Sequence, residues 1–250
     1  MGDAVTEVEI EQGEFEASAR RFLADTKDHQ MRVILDQGVH RHLRFQAPDS
    51  GFYWFDLVTV PGALIFMGDG EAFVFRRVDD MFTFFRARSG WNGGTINPYY
   101  WSEKLVDAGG RWDRSMRYSG AKFKEYVEEQ LKDAEESGDW TAEQMVEIRS
   151  AVVAELDGQV DISYEESARE FLRDFRADVE TDPCVPVGKR SLICRTEEFT
   201  FDQDSAMEAD LRDWDWWFLW ACHGIQWGID QYDRAKRAAG AAGEGSNANV

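Results

Sequence analysis

The sequence predicts an α+β protein: an N-terminal antiparallel β-sheet with flanking helices, then a C-terminal helical half ending in a buried Trp-rich helix. Three observations carry this. Five short runs of β-branched and aromatic residues lie between residues 31 and 77, separated by Gly and Pro turn signals. From Ser119 the apolar residues recur at helical spacing. Residues 213–233, DWDWWFLWACHGIQWGIDQYD, hold five of the chain's ten tryptophans.

In chain order, Phe15, Ala19, Phe22 and Leu23 recur at helical spacing and predict an amphipathic helix from Gly13 to about Lys27. MRVILDQ and HRHLRFQ read as strands around a turn at Gly38. FYWFDLVTV, ALIFMG and EAFVFRR read as three more, with Pro61-Gly62 and the GDG at 68–70 turning the chain between them. VDDMFTFFRA predicts a short helix with Asp79 or Asp80 in its first turn and Met81, Phe84 and Phe85 inward. A Gly-rich loop, SGWNGGTINP, leads to a helical turn opened by Pro98.

Residues 119–137, 141–158 and 163–180 predict three helices, each opened by a Ser or Thr able to cap it. TDPCVPVGKRSLICRTEEFTFD holds two prolines and no long period, so it reads as a connector with short strands. A last helix is expected from about Ala206 to Ala239. The predicted organisation is a sheet region over 1–118, an acidic helical region over 119–239 whose Trp-rich helix returns to the sheet, and a disordered tail over 240–250. SARRFLAD at 18–25 and SAREFLRD at 167–174 echo each other without flanking similarity. They read as coincidence between two amphipathic helices rather than a repeat.

On a helix, Trp216, Trp220, His223 and Trp227 form one stripe, and Trp217, Ala221, Gly224 and Gly228 the adjoining one. A helix apolar nearly all round is a buried one. Trp216, Trp217, Trp220 and Trp227 are therefore expected as core aromatics, and the small residues as places where another element approaches closely. The rival reading is an exposed aromatic patch for a partner. The indole N–H groups need acceptors, and Asp213, Gln226 and Asp230 stand nearby in sequence.

The 250-residue chain carries a formal net charge of −20, with 43% hydrophobic residues. That is enough for a sizeable core, which excludes an acidic disordered protein. The charge repels nucleic acid and anionic membrane, so no direct nucleic-acid binding is expected and the favoured partner is a protein with a basic surface. Residues 121–182 hold 19 acidic and 7 basic residues, a net of −12. Glu125, Glu128, Glu129, Asp133, Glu135 and Glu136 are the candidate partner-binding residues. No run is long enough for a membrane helix, and the acidic N-terminus lacks the features of a secretory signal. Cys184, Cys194 and Cys222 give an odd count without a close pair, which suits a reducing cytosol better than a disulfide framework.

Specific chemistry is sparse. His40 and His42 share a strand face, but no further ligand stands at a metal-binding spacing. Cys222 and His223 are adjacent on a helix and diverge. The YWFD run places Asp56 amid aromatic residues in a strand, where it is either buried with a raised pKa or, as alternation favours, pointed to water. No phosphate loop, dinucleotide fingerprint, nucleophile elbow or H-E-x-x-H motif occurs. No catalytic, cofactor or metal set is expected. If the chain is nevertheless an enzyme or a nucleotide- or metabolite-binding protein, the pocket would lie between the sheet and the Trp-rich helix. Asp56, His42 and His223 would then be its first candidates.

The blocks YWFDLVTVPGALIFMGDGEAFVFRRVDDMFTFFR, INPYYWSEKL and DWDWWFLWACHGIQWGIDQYD resemble an uncharacterised family of tailed-bacteriophage proteins. The resemblance covers His40 to Leu105 and Asp213 to Asp233. Val60 stands where the family's pattern has an aromatic residue, and the acidic helices are less shared. The resemblance implies a phage accessory protein acting in the bacterial host cytoplasm and supplies no reaction. Together with the acidic helices it makes an inhibitor of a host defence or nucleic-acid-acting protein the expected function, with a virion component as a further alternative.

Overall fold

A computed structural model describes residues 15–86, 96–106, 114–158, 160–180, 185–187, 191–193 and 196–246. The chain divides into two compact units. Unit one comprises residues 1–116 and 214–250, and unit two residues 117–213.

Unit one opens with helix α1, residues 15–25. A five-stranded antiparallel meander follows: β1 (Gln30–Gln37), β2 (His40–Gln46), β3 (Phe55–Val60), β4 (Ala63–Gly68) and β5 (Ala72–Arg76), paired in chain order. The tight turns fall at Gly38 and Gly62, where φ is +63° and +80°, values that glycine adopts without a Cβ penalty. Alternation along the strands puts Leu43, Phe45, Phe55, Leu57, Leu64, Phe66, Phe73 and Phe75 on one buried face. β3 begins at Phe55 rather than at Phe52. Tyr53 sits at φ +57°, and a left-handed residue cannot continue a strand. Helix α2 (Met81–Arg86) is held at its start by the Asp80 carboxylate, which accepts from the Phe82 N–H at 3.0 Å. It buries Met81, Phe82 and Phe85, whereas Phe84 is only partly buried. Helix α3 (Pro98–Ser102) has Asn97 as its N-cap and Pro98 in its first turn. The loop expected between α2 and α3 lies largely outside the described residues.

Unit two is helical, with a small ribbon. β6 (Met116–Tyr118) stands where the chain enters it. Helices α4 (Gly120–Ser137), α5 (Ala142–Gly158) and α6 (Glu165–Asp174) follow, then strands β7 (Ala177–Glu180), β8 (Val185–Val187), β9 (Ser191–Ile193) and β10 (Thr196–Phe199). β7 pairs with β10 and β8 with β9. A short helix α7 (Gln203–Glu208) and strand β11 (Arg212–Trp214) end the unit. Ser119 caps α4 as expected, and Thr141 with Gln144 forms a reciprocal capping box on α5. Ser163 does not cap α6. Its N–H is turned to Asp161, and the helix starts after Tyr164 without a side-chain cap. The predicted helix over 163–180 stops at Asp174 because the chain becomes extended at Phe175. Ala177 and Val179 then alternate inward against exposed Asp178 and Glu180, the period of a strand. The core joins Phe123, Val127 and Leu131 of α4 to Met145, Ile148 and Val152 of α5, Phe171 and Leu172 of α6, and Phe199 of β10.

The final helix differs from the expected 206–239. Helix α8 runs from Trp216 to Ser246 and belongs to unit one. Asp215 fixes its start by accepting from the Phe218 N–H at 2.9 Å, and the preceding Arg212–Trp214 is extended. The tail expected to be disordered from residue 240 is helical to Ser246, although its three glycines outnumber its two alanines and disfavour a helix. Residues 247–250 lie outside the description.

α8 crosses the buried face of the sheet, and its small residues set the distance. A Cβ on Gly228 would lie 2.7 Å from Leu57 Cδ1 and 3.0 Å from Phe45 Cζ; one on Gly224 would lie 3.0 Å from Phe66 Cε2. Trp220 is 1% exposed, meeting Phe55 edge-on at 5.5 Å between centroids and Phe22 at 5.0 Å. Trp216, Trp217 and Trp227 are partly buried and pack against the same core. The acceptor for the Trp220 indole is Asp25 of α1, at 3.3 Å, and none of the three acceptors expected from sequence proximity. Polar contacts pin the far half of α8. Tyr232 donates to Asp36 at 2.8 Å, Lys236 reaches the same carboxylate at 3.0 Å, and Arg86 of α2 binds Asp233 through two hydrogen bonds.

Candidate functional site

The six carboxylates singled out on α4 are all exposed, but helical geometry sorts them. Glu128 and Glu135, seven residues apart, lie on one stripe, and Arg149 of α5 reaches both, at 2.7 and 3.3 Å. The Glu128 hydrogen bond is the first cause that raises the Arg149 pKa, so this guanidinium is committed within the fold. Glu125 pairs with Lys122 at 3.1 Å and Glu136 with Lys132 at 3.6 Å. Glu129 and Asp133, one turn apart, have no basic partner among the described residues.

Asp133 leads into an open groove of about 610 Å³ beside α4. Among the described residues its charged lining is wholly acidic: Asp133 on α4, Asp139 in the turn after it, Glu198 on β10, and Asp202. Trp140, Phe199 and Phe201 supply aromatic lining, with Trp140 and Phe199 edge-to-face at 5.9 Å. Asp202 is occupied as the N-cap of α7. Hydrogen bonds from the Ser205 hydroxyl and from the Ser205 and Asp204 N–H groups hold its carboxyl below the usual range, so it stays ionised. The nearby Tyr126 phenol reports the local field. Burial first, then the charges of Asp202, Glu129 and Asp133, push its pKa up, and its hydroxyl is buried without a hydrogen-bond partner among the described residues. No group of three or more His, Cys, Asp or Glu among the described residues is arranged to hold a metal ion.

The second set, Asp56, His42 and His223, is not brought together. Asp56 and His42 lie on the sheet face opposite α8, where Asp56 accepts from Arg44 at 2.6 and 2.8 Å and bonds His42 Nε2 at 2.9 Å. Asp56 does not point to water as alternation suggests. It is 2% exposed, enclosed with an Arg44 whose guanidinium stands 4.5 Å from the centre of the Trp54 ring. Burial pushes this carboxyl up, but the Arg44 and His42 hydrogen bonds outweigh burial and hold it below the ordinary range.

His223 faces α1 instead, packed on Phe15 at 4.6 Å and bonded to Ser18 at 2.9 Å. The Ser18 hydroxyl proton goes to the Phe15 carbonyl, so its oxygen is assigned as acceptor from Nε2–H of a neutral imidazole. Burial lowers the His223 pKa to about 4, against the opposing effect of the Phe15 carbonyl. The space between sheet and α8 is filled at Gly224 and Gly228 by Phe45, Leu57 and Phe66, so no ligand fits at these positions. Cys222 is fully buried, which raises its thiol pKa and removes it as a nucleophile at neutral pH. Cys184 and Cys194 lie outside the described residues.

The groove escaped the sequence reading because Asp139, Trp140, Glu198 and Asp202 are brought together only by the return of β10 to β7. The nearest sequence signal is the FTFD run at 199–202, where aromatic residues precede a capping acid. No family model matches the chain, and no curated protein or solved structure shows significant similarity to it. No helix among the described residues is long and apolar enough to cross a membrane.

Proposed function

We propose that this chain works by binding another protein through its acidic helical unit, as a phage-encoded accessory protein that occupies a basic surface of a host defence or nucleic-acid-acting protein. The observation that carries the reading is the distribution of charge. Unit two holds 26 acidic and 12 basic residues, a net of −14 out of the chain's −20. Such a field accelerates encounter with a basic surface and disfavours nucleic acid itself. Glu129 and Asp133 add carboxylates that no internal base neutralises among the described residues. The phage origin rests on the sequence blocks alone, and the bacterial cytoplasm as the place of action follows from it.

The test is affinity capture on the full chain from bacterial lysate, with the captured protein identified by mass spectrometry, alongside phage growth on defended hosts after the gene is deleted. Recovery of one basic protein together with impaired growth supports the reading. No partner and undiminished growth overturn it.

A further inference from the structure

We infer that the groove beside α4 receives an arginine-bearing segment of the protein partner, an inference that rests on the binding role proposed above. Two features define the occupant. Among the described residues, the charged groups around the groove are Asp133, Asp139, Glu198 and Asp202, with no lysine or arginine lining it. Its half-buried Trp140, backed edge-to-face by the buried Phe199, presents aromatic surface to whatever enters. A guanidinium suits both, because it is planar, weakly hydrated, stacks on aromatic faces and meets carboxylates through two donors at once.

The alternatives fit less well. A lysine ammonium is a compact, strongly hydrated charge that gains less from an aromatic wall. A divalent metal needs several ligands converging within about 2.5 Å of one point, and no such group exists among the described residues. At about 610 Å³ the groove has the volume of small-ligand sites, typically about 300–1,000 Å³, and it therefore holds one or two side chains rather than a folded surface. Its charge partly belongs to the fold. Glu198 pairs loosely with Arg176 at 3.5 Å and Asp202 caps α7, which leaves Asp133 and Asp139 as the lining carboxylates with no basic partner among the described residues.

Titration calorimetry on the full chain, with capped hexa-arginine as the probe, tests this. Three variants are compared: Asp133→Asn with Asp139→Asn; Trp140→Phe; and a remote control of equal charge loss, Glu155→Gln with Asp157→Asn. Thermal melts accompany each variant to show that it folds. The expected result is at least about tenfold weaker binding for the groove pair, a loss of about 1.4 kcal/mol, and less than about twofold for the control. Trp140→Phe, which leaves charge unchanged, is expected to weaken hexa-arginine more than hexa-lysine. Equal weakening by the groove pair and the control would overturn the groove as a site while leaving a diffuse acidic surface intact. Tight spermine or magnesium binding without peptide binding would replace the occupant and overturn the proposal. Failure of the lysate capture, by contrast, would remove the binding role itself.

Discussion

Gly228 shows how one residue sets the spacing of unit one. Alanine is favoured over glycine in a helix interior by about 1 kcal/mol. At Gly228, however, the added Cβ would stand 2.7 Å from Leu57 Cδ1 and about as close to the Phe45 ring, both in a filled core. Gly228→Ala is therefore expected to lower stability by about 1–3 kcal/mol, the usual cost of overpacking. Gly240→Ala, on the same helix with open space around it, should raise stability by up to about 1 kcal/mol. Denaturant melts of the two variants check the pair, and a stabilised Gly228→Ala would contradict the close approach of α8 to the sheet.

His223 makes a separate prediction. Its folded pKa of about 4 lies below the ordinary 6.5, so the unfolded chain takes up its proton first as pH falls. The neutral imidazole's contribution is complete above about pH 6.5 and is lost progressively as pH drops towards 4, by about 1.4 kcal/mol per unit. Against a His223→Gln variant, the wild type should lose stability more steeply between pH 6.5 and 4. Equal slopes would show that the imidazole is not buried neutral.

Among the elements, the caps and the periodicities decide the boundaries. Thr141→Ala removes half of the reciprocal cap on α5 and should cost about 1 kcal/mol in a thermal melt. The same change at Ser163, whose hydroxyl does not cap α6, should cost less than about 0.5 kcal/mol. The meander was legible because its turns require the conformations that Gly38 and Gly62 supply and because β2, β4 and β5 alternate in burial; β1, exposed almost throughout and bulged between Val33 and Leu35, and β3, which buries Asp56, do not. The strand at 177–180 was hidden because ADVE continues the charged pattern of α6, and only pairing with β10 settles it. The start of α8 was hidden by Ala206, which belongs to the separate six-residue helix α7. The 18–25 and 167–174 echo resolves at this scale as well. α1 buries Ser18 and Phe22 and exposes Leu23, whereas α6 buries Ala168, Phe171 and Leu172, so the same letters serve different faces. The acidic stretch could be named from sequence, but not its division into carboxylates satisfied by Arg149 and carboxylates left facing the groove. That division depends on where α5 packs.

At the scale of the whole molecule, the chain assigns different work to its two units. Unit one spends its aromatic residues on a core between sheet and α8. Trp220→Ala should accordingly destabilise it by about 3–5 kcal/mol, seen as poor expression or an early melt. Unit two has a core of its own and carries most of the net charge on its surface. The most direct measurement of the account compares capture from bacterial lysate by the wild-type chain and by the doubly reversed Glu129→Lys, Asp133→Lys chain, at about 0.1 M and about 0.5 M salt. The account predicts one basic protein retained by the wild type at the lower salt, released at the higher salt and absent from the reversed chain, with both chains melting alike. The same protein held equally by both chains, whatever the salt, would contradict it.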